Sequence, residues 1–164
     1  MEKFNNLVIG ANKALKLADH MTYVTYPLLK DKKLLMPILE NINKSITLSI
    51  SAFIRYDLLY KRISSAPEKF NEKLDLFYKT SFMRYSFNEG DLDFIKSLNN
   101  LIKKHKESPI EIIRGEKFII CSEDYRTEIV TLDLIKKMIL KAKPFIFKLN
   151  RILSDERILK KGKK

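Results

Sequence analysis

The chain has 164 residues and 45% of them are apolar, a length that fits one domain and an apolar share too high for a disordered chain. With only 4 Gly and 5 Pro it lacks the turn residues of an all-β fold, which points to long helices. The formal net charge is +12, and the uncharged stretch Ser45–Ile54 is far too short to span a bilayer.

Met1–Asn6 has no basic segment leading into an apolar run, so no secretory leader is expected. Cys121 is the single cysteine, which excludes an intrachain disulfide and makes a reducing, cytoplasmic location the expectation.

In chain order, Phe4, Leu7, Val8, Ala11, Leu15, Ala18, Met21 and Thr25 follow helical spacing, and Pro27 is expected to stop this first helix. A second, long helix is predicted from about Leu34 to Ile63, with Pro37 in its first turn. Its small residues between Ser45 and Ala52 let a neighbouring helix approach closely, so the central packing contact is expected there. Ser65-Ala66-Pro67-Glu68 has the spacing of a capping box and predicts a third helix ending near Tyr85. Asn88, with Asp91 three residues on, predicts the cap of a fourth helix that Ser108-Pro109 ends. Short β-branched runs at 117–121 and 127–131 predict a β-hairpin packed on the bundle. The last helix is expected to begin near Thr131 or Asp133. The whole reads as a mostly α, antiparallel bundle of about five helices: one domain over residues 1–157, then a flexible basic tail over 158–164.

Charge is unevenly placed: residues 133–164 hold 11 cations and 3 anions, residues 1–132 hold 21 and 17. Of the cations 25 are Lys, which an A+T-biased genome would also favour, but uniform bias does not create this asymmetry. Lys137, Lys141, Lys148 and Arg151 share one stripe of the last helix with Pro144, roughly opposite its apolar face. With Lys160, Lys161, Lys163 and Lys164 of the tail they form the candidate nucleic-acid-binding set; a solvated helix face is the alternative. No aromatic interleaves the stripe, so contact with a nucleic-acid backbone rather than its bases is expected.

A second group, Asp19, His20, Tyr23 and Tyr26, lies near the end of the first helix and offers an acid/base or phosphate-positioning cluster. The plainer alternative is a polar seam in which Asp19 meets Asn41 or Lys44 of the second helix. His105 reads as solvated surface, and Cys121 as a small core residue rather than a nucleophile. No metal-ligand spacing, Gly-rich phosphate loop or Ser-His-Asp arrangement is present, so neither metal nor cofactor is expected and the sequence leans away from an enzyme.

The segment Ala18–Leu28, the long second helix, and the run Cys121–Arg126 together resemble small archaeal helical proteins of unassigned activity. The long antiparallel helix pair also resembles the HEPN class of helical bundles, found in toxin–antitoxin and RNA-processing systems. Catalytic HEPN ribonucleases carry an Arg, then four to six residues, then a His; none of the seven arginines here has a histidine at that distance. The resemblance therefore implies a fold without implying the ribonuclease reaction. The expected function is non-catalytic binding of RNA, DNA or another polyanion through the basic C-terminal helix. The alternative is a protein-interaction or scaffolding module, homodimeric through a helical face; anionic lipid is a further candidate for the basic helix.

Overall fold

A computed structural model describes residues 2–161, with side chains placed over residues 3–153. Helix α1 (Glu2–His20) runs on through a wide π turn, Met21–Thr25, into α2 (Tyr26–Leu29). A 3-10 turn, Lys32–Leu34, leads into α3 (Leu35–Leu59), and the carboxylate of Asp31 accepts the Lys33 N–H at its start. Helix α4 (Phe70–Phe77) continues through a second π turn, Tyr78–Phe82. Then follow α5 (Glu89–Glu107), strands β1 (Ile110–Arg114), β2 (Lys117–Cys121) and β3 (Thr127–Val130), and α6 (Leu132–Lys161). The fold is mostly α, as the sequence led us to expect, with one small antiparallel sheet in the order β1-β2-β3. Among the described residues no helix is long and apolar enough to cross a membrane.

Helix α3 is the central element, touching α1, α4, α5 and α6. Its small residues do make the closest contact. Ala11, Ala14 and Ala18 of α1 and Ser45, Ser49 and Ala52 of α3 are all buried. The Ser45 hydroxyl donates across the seam to the Ala11 carbonyl at 2.7 Å. A Cβ on Gly10 would come within 3.0 Å of the Leu48 side-chain methyl, which would have to give by a few tenths of an ångström. On the far side of α3 a knot of rings, Phe53, Phe77, Phe82, Phe87 and Phe145, joins α3, α4 and α6 with centroids 5.1–6.2 Å apart.

Two helix starts match the sequence reading. Asn88 and Asp91 form a reciprocal capping box at α5, and Thr131 Oγ1 accepts the Leu134 N–H at α6. Other expectations need correcting. Pro27 does not stop the first helix: Tyr26 N–H reaches back to Met21 O, and that wider turn makes room for the proline ring, so the helix runs on to Leu29. Helix α3 ends at Leu59 rather than Ile63, because Lys61 adopts a left-handed conformation (φ 57°) that closes the helix. The capping box at Ser65–Glu68 does not form; α4 begins at Phe70, after an extended Lys69. The hairpin gains a strand, β1, joined to β2 by a two-residue turn whose first residue, Gly115, has φ +60°. Helix α6 extends to Lys161, beyond the expected start of the tail at 158.

The α1–α3 seam yields a stability prediction. Ala11→Leu should force the helices apart and cost about 1–3 kcal/mol, whereas Ile9→Leu, on the exposed side of α1, should be near neutral. Denaturant titration of both variants measures the difference.

Candidate functional site

The outer face of α6 carries exposed cations and exposed apolar side chains together. At 100° per residue, Leu140, Pro144 and Phe147 fall within about 60° of arc, directly away from the buried Ile139, Ala142, Phe145, Ile146 and Leu149. Leu140 is 65% exposed and Phe147 70%. Cations line both sides of this apolar crest. Lys137, Lys141 and Lys148 lie on one side; Lys136 and Lys143 lie on the side facing α1, while Arg151 continues the crest itself. The expected stripe thus keeps Lys137, Lys141 and Lys148 on one side of an apolar ridge, and Lys136 and Lys143 add a second row on the other side. No aromatic interleaves the stripe itself, but Phe147 stands exposed between it and the second row.

The side chains differ in freedom. Lys137, Lys141 and Arg151 are exposed, and no described residue pairs with them. Lys148 is half-buried: its ammonium donates to the Ser86 carbonyl at 3.0 Å and sits 4.4 Å above the Phe87 ring. Its role is therefore at least partly to fasten α6 to the turn after Phe82. Lys160, Lys161, Lys163 and Lys164 lie outside the described side chains.

The second predicted group does not converge. Asp19 pairs with Lys143 of α6 at 2.8 Å, not with Asn41 or Lys44; the Asn41 amide donates to the Pro37 carbonyl instead. Tyr23 is half-exposed beneath two lysines, with Lys136 and Lys143 at 5.6 and 5.9 Å from its ring centre. Tyr26 turns inward. Its hydroxyl is buried without a hydrogen-bond partner among the described residues, and burial, with Glu116 nearby, pushes the phenol above its ordinary value. His20 is exposed. No acid/base cluster results, but Tyr23 joins the α6 face: a shallow trough between α1 and α6, lined by Asn12, Leu15, Leu140, Lys143, Phe147 and Asn150, runs beside the crest. Asn12 and Asn150 brace its floor with reciprocal amide bonds of 2.9 and 2.8 Å.

His105 is not solvated surface. It is half-buried, with Nδ1 on Glu111 of β1, Nε2 3.3 Å from Glu40 of α3, and its ring edge-on to Phe118. With Lys104–Glu128 and Lys32–Glu116 it pins the sheet to the bundle. Cys121 is half-buried in β2. Among the described residues no three His, Cys, Asp or Glu are grouped to hold a metal ion.

One polar centre was missed from sequence. Asp57 is fully buried near the end of α3. Its Oδ1 accepts from Arg84 at 2.7 Å and Arg62 at 3.3 Å, and its Oδ2 accepts from the Ser81 hydroxyl at 3.1 Å. A signal existed: Asp57 falls on the stripe of Ile46, Ile50 and Phe53, and an acid on a buried stripe requires cations.

No family model, curated protein or solved structure matches the chain. The resemblances to archaeal proteins and to the HEPN class therefore rest on the sequence alone.

Removing the Asp57 carboxylate leaves two guanidiniums facing each other over a buried gap. Asp57→Ala should cost about 3–5 kcal/mol, more than Lys143→Ala at the half-exposed Asp19 pair, which should cost about 1 kcal/mol or less. Paired chemical denaturation curves give the comparison.

Proposed function

We propose that the protein is a non-catalytic binder of single-stranded nucleic acid, using the outer face of α6 and the adjoining Tyr23. The observation that carries the reading is the exposed Phe147 crest set between two rows of lysine. Bases offer flat apolar faces and phosphates offer charge, and a strand laid along α6 would meet each in turn. Lys137 to Arg151 span about 21 Å of helix, enough for several nucleotides. A duplex hides its base faces and would leave Phe147 against water or phosphate, so single strands fit better. Lysines make backbone contacts, which favours binding with little sequence preference.

Fluorescence anisotropy with labelled oligonucleotides tests this reading. Affinity for a single strand should exceed that for the matching duplex. Phe147→Ala should weaken single-strand binding about tenfold while hardly changing duplex binding. Replacing Lys137 and Lys141 with Ala should lower the slope of log K against log salt by about 0.7 for each phosphate that is no longer neutralised. No binding at low ionic strength, or a preference for duplex that Phe147→Ala leaves untouched, would sink the proposal.

A second reading, a protein-interaction module, is favoured by β1. All five of its residues are exposed, Ile110, Ile112 and Ile113 among them, and among the described residues β2 is its only strand partner, so one edge is open to strand addition. A homodimer built through this edge should scatter light as a dimer and revert to monomer on Ile112→Lys; a monomeric wild-type chain removes that form of the reading.

A further inference from the structure

We propose that Arg62 and Arg84, held by the buried Asp57, form a binding site for a phosphate oxyanion, separate from the α6 face. The first argument is charge. One carboxylate offsets one guanidinium, and here two converge on the same oxygen, Asp57 Oδ1, at 2.7 and 3.3 Å. The remaining partner of that carboxylate, the Ser81 hydroxyl, is neutral. Among the described residues the cluster holds two guanidiniums and one carboxylate, offset further only by the partial negative charge of two helix ends, so it attracts an additional anion.

The second argument is donor geometry. A guanidinium has five N–H donors in a planar fork. Each arginine commits one nitrogen, Nη1, to Asp57, and no other described residue accepts from either. Both side chains are about a third exposed, at 35% and 36%, so the uncommitted edges can reach solvent. Rings limit their movement: Arg62 lies 5.6 Å from the centres of both Tyr56 and Tyr60, and Arg84 lies 5.8 Å from that of Tyr85. A pair of forks fixed from behind suits the tetrahedral oxygens of a phosphoryl group.

The third argument is backbone. Arg62 N–H bonds to Asp57 O and Lys61 N–H to Leu58 O, closing α3 around Lys61 at φ 57°. Phe87 N–H bonds to Phe82 O and Ser86 N–H to Met83 O, closing the other helix end around Ser86 at φ 54°. Both closures put a non-glycine residue where glycine is favoured, and each lies within two residues of one of the arginines. Two strained helix ends meeting at one oxygen are the kind of backbone arrangement that accompanies ligand sites.

The test uses the intact chain and follows the arginine side-chain Nε–Hε signals by NMR. Inorganic phosphate should shift both Arg62 and Arg84 saturably, while chloride at matched ionic strength should not. Arg62→Gln leaves Asp57 paired with Arg84 and should weaken phosphate binding, read at Arg84, about tenfold. Arg62→Lys, which keeps the charge and loses the fork, should recover only part of it. Short oligonucleotides with and without a 5′-phosphate separate the sources: a shift that needs the end group assigns a phosphomonoester, and an equal shift assigns backbone diesters. Signals that stay still in phosphate, or move as far in chloride, overturn the proposal and leave the pair as a structural bridge only. Phe147→Ala should not alter the phosphate response, so failure of the α6 reading and failure of this site are distinguishable.

Discussion

Two helix backbones can approach closely only where side chains are nearly absent, and the contact between α1 and α3 is of that kind. Ala11 faces Ser45, with a hydroxyl-to-carbonyl bond of 2.7 Å across the seam, and Ala14, Ala18, Ser49 and Ala52 are buried along it. The buried hydroxyls would be costly without partners, and each has one: Ser45 on Ala11 and Ser49 on the Ser45 carbonyl one turn back. Because α1 occupies so little depth, α3 stays at the centre and its opposite side must be filled by bulk. The phenylalanines supplied by α4, the turn after it and α6 do this. The seam also sets the position of α6, which lies against both α1 and α3 and so presents its outer face beside Tyr23.

A polar residue on the buried face of α3 has no direction in which to escape to water. Asp57 lies in the last turns of α3, one turn beyond Phe53 on the same stripe, and is desolvated by the packing that buries Phe53. Its carboxylate is tolerable only because cations are brought to it. The left-handed Lys61 turns the chain back so that Arg62 faces the helix it has just left, whereas Arg84 lies on the last helical turn before the left-handed Ser86. Helix ends carry a negative partial charge, which also favours arginine there. Those effects account for one arginine on one carboxylate. They do not balance the second.

Signals confined to a few neighbouring residues were legible in the sequence. The Asn88–Asp91 box, the Thr131 cap, the end at Ser108-Pro109 and the small-residue stretch of α3 each depend on spacing along one segment, and each appears in the structure. Partners across helices were not legible, because they depend on rotation about the helix axis, where one residue is worth about 100°. Asp19 faces α6 rather than α3, so its partner is Lys143 and not Lys44. The π turn at Met21–Thr25 adds to the difficulty: an extra residue in a turn shifts the phase of everything after it, separating Tyr26, which turns inward, from Asp19 and Tyr23. The site was half legible for the same reason. The cations of α6 could be counted, but their division by Leu140, Pro144 and Phe147 emerges only once the buried face is fixed.

That division matters for what the face can accept. An exposed ridge of Leu140 and Phe147 alone would tend to stack against its own copy, since two such ridges would bury apolar surface together. Lysines along both flanks oppose this: a second copy docked face to face would set rows of like charge within a few ångströms, well inside the screening length of about 8 Å at physiological salt. The same rows attract any partner that combines flat apolar surface with negative charge. A surface built only of lysine would take any polyanion, and one built only of Phe and Leu would take any apolar face. Interleaving the two narrows the choice to partners that alternate them at a spacing of a few ångströms, and an unstacked nucleic-acid strand does so along its whole length.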